Sequence, residues 1–126
     1  MWSHDPSFTK VCEALAIGHA FTAKLGFSAE PSLHVMAAFR EYGLVDIVKE
    51  DYSSTRHPEF ASEYRILGDA AGKAGWLPVA IRHSGKAGSR EEADGMAEKI
   101  LKGWDEDYNN GAVPFLPVKM MVGRKP

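Results

Sequence analysis

Residues 83–90 read His83-Ser84-Gly85-Lys86-Ala87-Gly88-Ser89-Arg90, a glycine-containing turn with two cations ahead of a predicted helix. Free N–H groups at a helix start attract anions, so Lys86, Ser89 and Arg90 form a candidate anion site. The spacing matches neither the phosphate loop G-x-x-x-x-G-K-[ST] nor G-x-G-x-x-G. Glu91 and Glu92 already offset the helix dipole, and a solvated loop is the plainer reading. A second cluster, Trp104-Asp105-Glu106-Asp107-Tyr108, sets carboxylates between aromatic rings. Carboxylates do acid–base work when burial raises the pKa of one of them. Consecutive acids ahead of Asn109-Asn110-Gly111 instead predict a polar turn. Trp104, Asp105 and Tyr108 are then candidates for a protein contact, because Trp and Tyr anchor interfaces.

The histidines His4, His19, His34, His57 and His83 contain no pair at helical spacing, and the single cysteine, Cys12, belongs to no C-x-x-C. No metal and no cofactor is therefore predicted. Cys12 lies among Val11, Leu15 and Ala16 and reads as a small apolar side chain rather than a nucleophile. G-x-S-x-G is absent, so no catalytic residue is assigned and the chain is not read as an enzyme. A dispersed active site would have to draw on His83, Lys86 and Arg90.

A chain of 126 residues, 44 % hydrophobic and 25 % charged, fits one globular domain that needs no disulfide or metal. Its net charge is −2, and no segment has the strongly basic balance of a dominant phosphate-binding surface. The N-terminus lacks the pattern of a secretory signal, and no apolar run is long enough to span a membrane. These features predict a cytoplasmic protein with no membrane partner.

The elements that must position these residues follow from periodicity. Asp5 and Pro6 open a first helix with Phe8, Val11, Cys12 and Leu15 on one face, running to about Leu25 or divided at Gly18-His19. A second helix starts at Pro31 or Ser32, turns Leu33, Met36, Ala37 and Phe39 inward, and ends at Gly43. Leu44–Lys49 reads as a short strand and residues 51–58 as a loop. Pro58-Glu59 starts a third helix with Phe60, Tyr64, Leu67, Ala71 and Ala74 inward, although Glu63–Leu67 also reads as a strand. Gly68 and Gly72 each cost that helix about 1 kcal/mol relative to Ala. Trp76–His83 reads as a strand. Ser89 and Glu92 form a capping box for a last helix ending at Gly103, and residues 113–122 form an edge strand marked by Pro114 and Pro117. The tail GRKP is expected to fray.

Residues 22–45, TAKLGFSAEPSLHVMAAFREYGLV, resemble the helix-turn-helix of winged-helix DNA-binding proteins. Leu25, Gly26, Ser28, Met36, Phe39, Gly43, Leu44 and Val45 carry the likeness. It implies that Ser32, His34, Val35 and Ala38 face the major groove, with Ser28, which caps or tightens the turn, also counted among the DNA-binding residues. Lys49, Ser53, Ser54, Thr55, Arg56 and His57 would supply the wing strand and tip. Between Ser32 and Ala38 there is no Arg, Lys, Asn or Gln, the side chains that read bases best.

The expectation is a single α+β domain. A helix-turn-helix-like half at about residues 5–50 precedes a mixed half at about 59–126, with a small sheet covered by helices. Two functions fit it about equally: a winged-helix-like nucleic-acid-binding or regulatory protein, and a non-catalytic adaptor or inhibitor that contacts another protein. The second rests on the acidic-aromatic run and on an edge strand carrying Met120 and Met121. Pairing with a second copy is compatible with both.

Overall fold

The computed structural model describes residues 3–126. In chain order it contains α1 (Thr9–Lys24), α2 (Pro31–Glu41), β1 (Val45–Asp51), α3 (Ala61–Gly72), α4 (Trp76–His83), α5 (Arg90–Asn109) and β2 (Lys119–Arg124). Short 3-10 turns at Ser54–Arg56 and Pro58–Phe60 lead into α3. The α+β class expected from the sequence is the observed one, in a single domain. No helix among the described residues is long and apolar enough to cross a membrane.

Helices α1, α4 and α5 build the core. One cluster joins Val11, Ala14 and Leu15 of α1 to Trp104 and Tyr108 of α5 and to Ala112. A second joins Leu77 and Ile81 of α4 to Ala93 and Ala97 of α5. The expected strand at 76–83 is therefore a helix. Leu77, Ala80 and Ile81 are buried at i, i+3, i+4 spacing, one face of a helix. Pro78 sits in the first turn, where a missing N–H costs nothing. Gly75, at φ 83°, turns the chain from α3 into α4.

The last helix runs past Gly103 to Asn109, so the acidic-aromatic run is helical rather than a turn. The apolar stripe of Ala93 and Ala97 continues through Trp104 and Tyr108. Gly103 sits where the Lys10 side chain of α1 crosses closest to it. The predicted cap is present: Ser89 Oγ accepts the Glu92 N–H at 3.1 Å. The first helix is continuous through Gly18, where the ring of Trp76 packs. It starts at Thr9 rather than Pro6; in the turn ahead of it Asp5 accepts the N–H and the hydroxyl of Ser7.

Helix α3 is formed in place of the alternative strand, but with a different inner face. Gly68 and Gly72 are its buried residues, whereas Leu67 is exposed. A Cβ at Gly72 would collide with the Trp104 ring, and one at Gly68 with Tyr108 and Pro114. The two glycines weaken the helix locally and let it close on the aromatic pair of α5.

Strands β1 and β2 form an antiparallel ribbon in which Val48 faces Val122, Glu50 faces Met120 and Asp51 faces Lys119. Beyond β1 the same register continues, with the Tyr52 N–H donating to the Val118 carbonyl and the Ser54 N–H to the Leu116 carbonyl. Gly123 and Arg124, expected to fray, belong to β2; Arg124 pairs with Val45 and binds Asp46 at 2.6 Å. Helix α2 buries no residue fully. It leans on β2, with Phe39 and Leu44 close above Gly123, while Leu33 points to solvent.

Candidate functional site

The ribbon has two unlike faces because successive side chains alternate. On one face Asp51 and Lys119 form an ion pair at 2.9 Å. Hydrogen bonds from Lys119 and then Ser53 hold the Asp51 carboxyl well below the usual carboxylate range. Met121 and Gly123 lie on this side, toward α2. The opposite face carries Val48, Tyr52, Val118, Met120 and Val122, all between 44 % and 54 % exposed. Glu50 lies among them and accepts a hydrogen bond from the Tyr52 hydroxyl. Single exposed apolar side chains are ordinary, but five on one side of a two-stranded ribbon form a contiguous patch. No third strand pairs with β1 or β2 among the described residues, so both long edges keep free N–H and C=O groups. An isolated bridge joins Ser3 to Phe115 just before β2.

The residues expected at a DNA interface are dispersed around this ribbon. Ser32 and Val35 line a groove of about 660 Å³ between α2 and the segment holding Phe115, Val118 and Met121. Val35 remains exposed at the surface and Ser32 is half-buried. His34 Nε2 lies 3.1 Å from the hydroxyl of Ser28, tying the turn to α2. Lys49 is exposed in β1. Ser53 and Ser54, expected in a wing, are buried; the Ser54 hydroxyl donates to the Pro114 carbonyl and accepts the Leu116 N–H. Thr55 and Arg56 sit in an exposed 3-10 turn, and His57 faces Glu59 at 3.3 Å. A wing is a hairpin of sequential strands, whereas β1 pairs with a strand from the far end of the chain. The loop after β1 is thus a crossover into α3 and not a wing tip. Around α2 the charges are Glu30, Arg40 and Glu41, a balance of −1.

The candidate anion loop is divided. Ser89 caps α5, the Gly88 N–H donates to the Glu92 carboxylate at 2.8 Å, and Arg90 is spread along its own helix 3.9 Å from Asp94. Lys86 turns away to a groove between α1 and α4.

The candidate protein contact at the end of α5 requires correction. Trp104 is 0 % exposed and Tyr108 is buried. Their rings stack with centroids 5.3 Å apart, and His4 meets each edge-on. Asp105 remains at the surface and binds Lys73 at 2.6 Å. The reading as an exposed turn failed because α5 carries this segment inward on its apolar stripe. Cys12 is half-buried, and burial, with the Asp107 and Asp5 carboxylates, raises its thiol pKa, the reverse of nucleophile activation. Among the described residues no group of three His, Cys, Asp or Glu side chains is arranged to hold a metal ion.

Sequence reasoning noticed Met120 but missed the face it belongs to. The period of two in Val118, Met120 and Val122 was available; their partners Val48 and Tyr52 lie far away in the chain. No family model matches the chain, and no curated protein or solved structure matches it significantly.

Proposed function

We propose that this protein is a non-catalytic binding module that acts through contact with another protein, using the exposed face of the β1–β2 ribbon. The observation that carries the reading is the patch of Val48, Tyr52, Val118, Met120 and Val122, bordered by open strand edges. Burying such side chains supplies roughly 25 cal/mol per Å² of apolar area. The unpaired backbone edge offers directional bonds to an added strand. Glu50, at the centre, adds a demand for a donor on the partner.

The winged-helix-like, nucleic-acid-binding reading is the competing proposal. Its support is the exposed helix α2 and the cations Arg40, Lys49 and Arg56. Against it stand the carboxylates flanking α2 and the absence of a base-reading side chain between Ser32 and Ala38. Low-salt fluorescence-polarisation titration with duplex DNA separates the two. The protein-contact reading expects no saturable binding. Saturable, salt-sensitive binding weakened by Arg56→Ala or Lys49→Ala would favour nucleic acid.

The direct test is the double variant Met120→Lys/Val122→Lys. Both sites are exposed, so the fold should survive with an unchanged melting temperature. Self-association in sedimentation velocity, or retention of a partner from the native host, should be lost. A wild-type chain that is monomeric at all concentrations and retains no partner would overturn the proposal.

A further inference from the structure

The groove between α1 and α4 has a volume of about 420 Å³ and arises from small side chains. Helix α1 presents Ala16 and Ala20 one turn apart, and α4 answers with Ala80, which is buried. Ile17 and Phe21 complete an apolar floor, and the Phe21 ring lies 5.2 Å from that of His83. From Glu13 to Lys24 the trough is about 16 Å long at the helical rise of about 1.5 Å per residue.

Its ends differ in charge. Lys24 donates to the backbone carbonyl of His83 at 2.8 Å, which fixes its ammonium where the C-termini of α1 and α4 meet. Lys86 lines the same end of the groove, in the turn that Gly85 makes at φ 77°. Lys24 and Lys86, like Lys49, Lys99, Lys102 and Lys125, have no carboxylate within 4.0 Å among the described residues, and of these only Lys24 and Lys86 line this groove. Glu13 occupies the opposite end.

We propose that this groove binds a single-chain amphiphilic carboxylate, with its aliphatic tail on the alanine floor and its head between Lys24 and Lys86. The apolar trough fits a tail without branches or polar groups. The two cations complement one negative head, and Glu13 rejects a chain charged at both ends. This site is separate from the ribbon face, and either proposal stands without the other.

Heteronuclear NMR titration of the full chain with sodium octanoate, 1-octanol and sodium acetate tests it. Octanoate should bind saturably, with the largest shifts at Ala16, Ala20, Lys24 and Ala80. Acetate should not bind, and octanol should bind at least tenfold more weakly than octanoate. Lys24→Met/Lys86→Met should reduce octanoate to the octanol level, and Ala20→Trp should abolish both. The proposal is overturned if octanoate and octanol bind the wild-type chain equally, if the shifts centre elsewhere, or if octanoate shows no saturation. The wild-type comparison needs no variant to fold.

Discussion

Asp107 Oδ2 accepts the Val11 N–H at 2.9 Å, although Asp107 belongs to α5 and Val11 to the first turn of α1. The N-cap of α1, Phe8, has no side chain able to accept that bond, so a carboxylate from another helix serves the exposed donors and the dipole. Asp107→Ala should cost about 1–3 kcal/mol, because a buried donor loses its acceptor; Asp107→Asn should cost less. Chemical denaturation measures both. His4 gives a pH dependence of definite sign. Burial pushes its pKa down from 6.5 to about 4, with Asp107 pulling weakly the other way, and its Nε2 lies 2.9 Å from the Tyr108 hydroxyl. Between those pH values the unfolded chain takes up a proton that the folded chain refuses. His4 thus leaves stability unaffected above about pH 6.5 and lowers it by up to about 3 kcal/mol as pH falls to 4. His4→Gln should flatten that part of the stability–pH curve. The glycines separate by environment. Gly72→Ala sets a methyl against Trp104 and should destabilise by about 1–3 kcal/mol despite better helix propensity. Gly95→Ala meets nothing within 4 Å in α5 and should stabilise by about 0.5–1 kcal/mol.

At the scale of elements, what was legible was what local spacing encodes. The second helix, β1 and the capped start of α5 stand close to where the sequence puts them, because Pro31, the Val45–Val48 run and Ser89-x-x-Glu92 carry their own signals. Trp76–His83 reads as a short apolar strand in the sequence, because the i, i+3, i+4 burial of Leu77, Ala80 and Ile81 shows only once α1 and α5 pack on them. The end of α5 was misread because Gly103 looks like a terminator until Lys10 of another helix is laid across it. The acidic run hid Asp107 as a surface charge, since a carboxylate's inward role depends on a partner far away in the chain. Arg65 is a similar case: from α3 it donates to the Tyr108 and Ala112 carbonyls and so closes the C-terminus of α5. The ribbon face was illegible as a site for the same reason. Neither β1 nor β2 has a covered and an uncovered side until they pair. A two-stranded ribbon is also marginal by itself. Arg124→Ala, which removes the bond to Asp46 beside the irregular step between Val45 and Val48, should speed amide exchange in both strands and leave α4 and α5 protected.

At the scale of the molecule, α1, α4 and α5 form a core that α3 closes on, and α2 with the ribbon forms an appendage. Exposed apolar side chains occur on both, Ile66, Leu67 and Val79 among them, and the ribbon gathers Val48, Met120 and Val122 on one face. The central claim is that the face bearing Val48, Met120 and Val122 is covered by a protein partner in use. A photo-crosslinking amino acid placed at Met120, with a control at Arg90 on the exposed start of α5, tests it in the native host. A discrete adduct, either a second copy or another protein, is predicted from position 120 and not from position 90. No adduct from position 120, or the same diffuse adducts from both, would contradict the account.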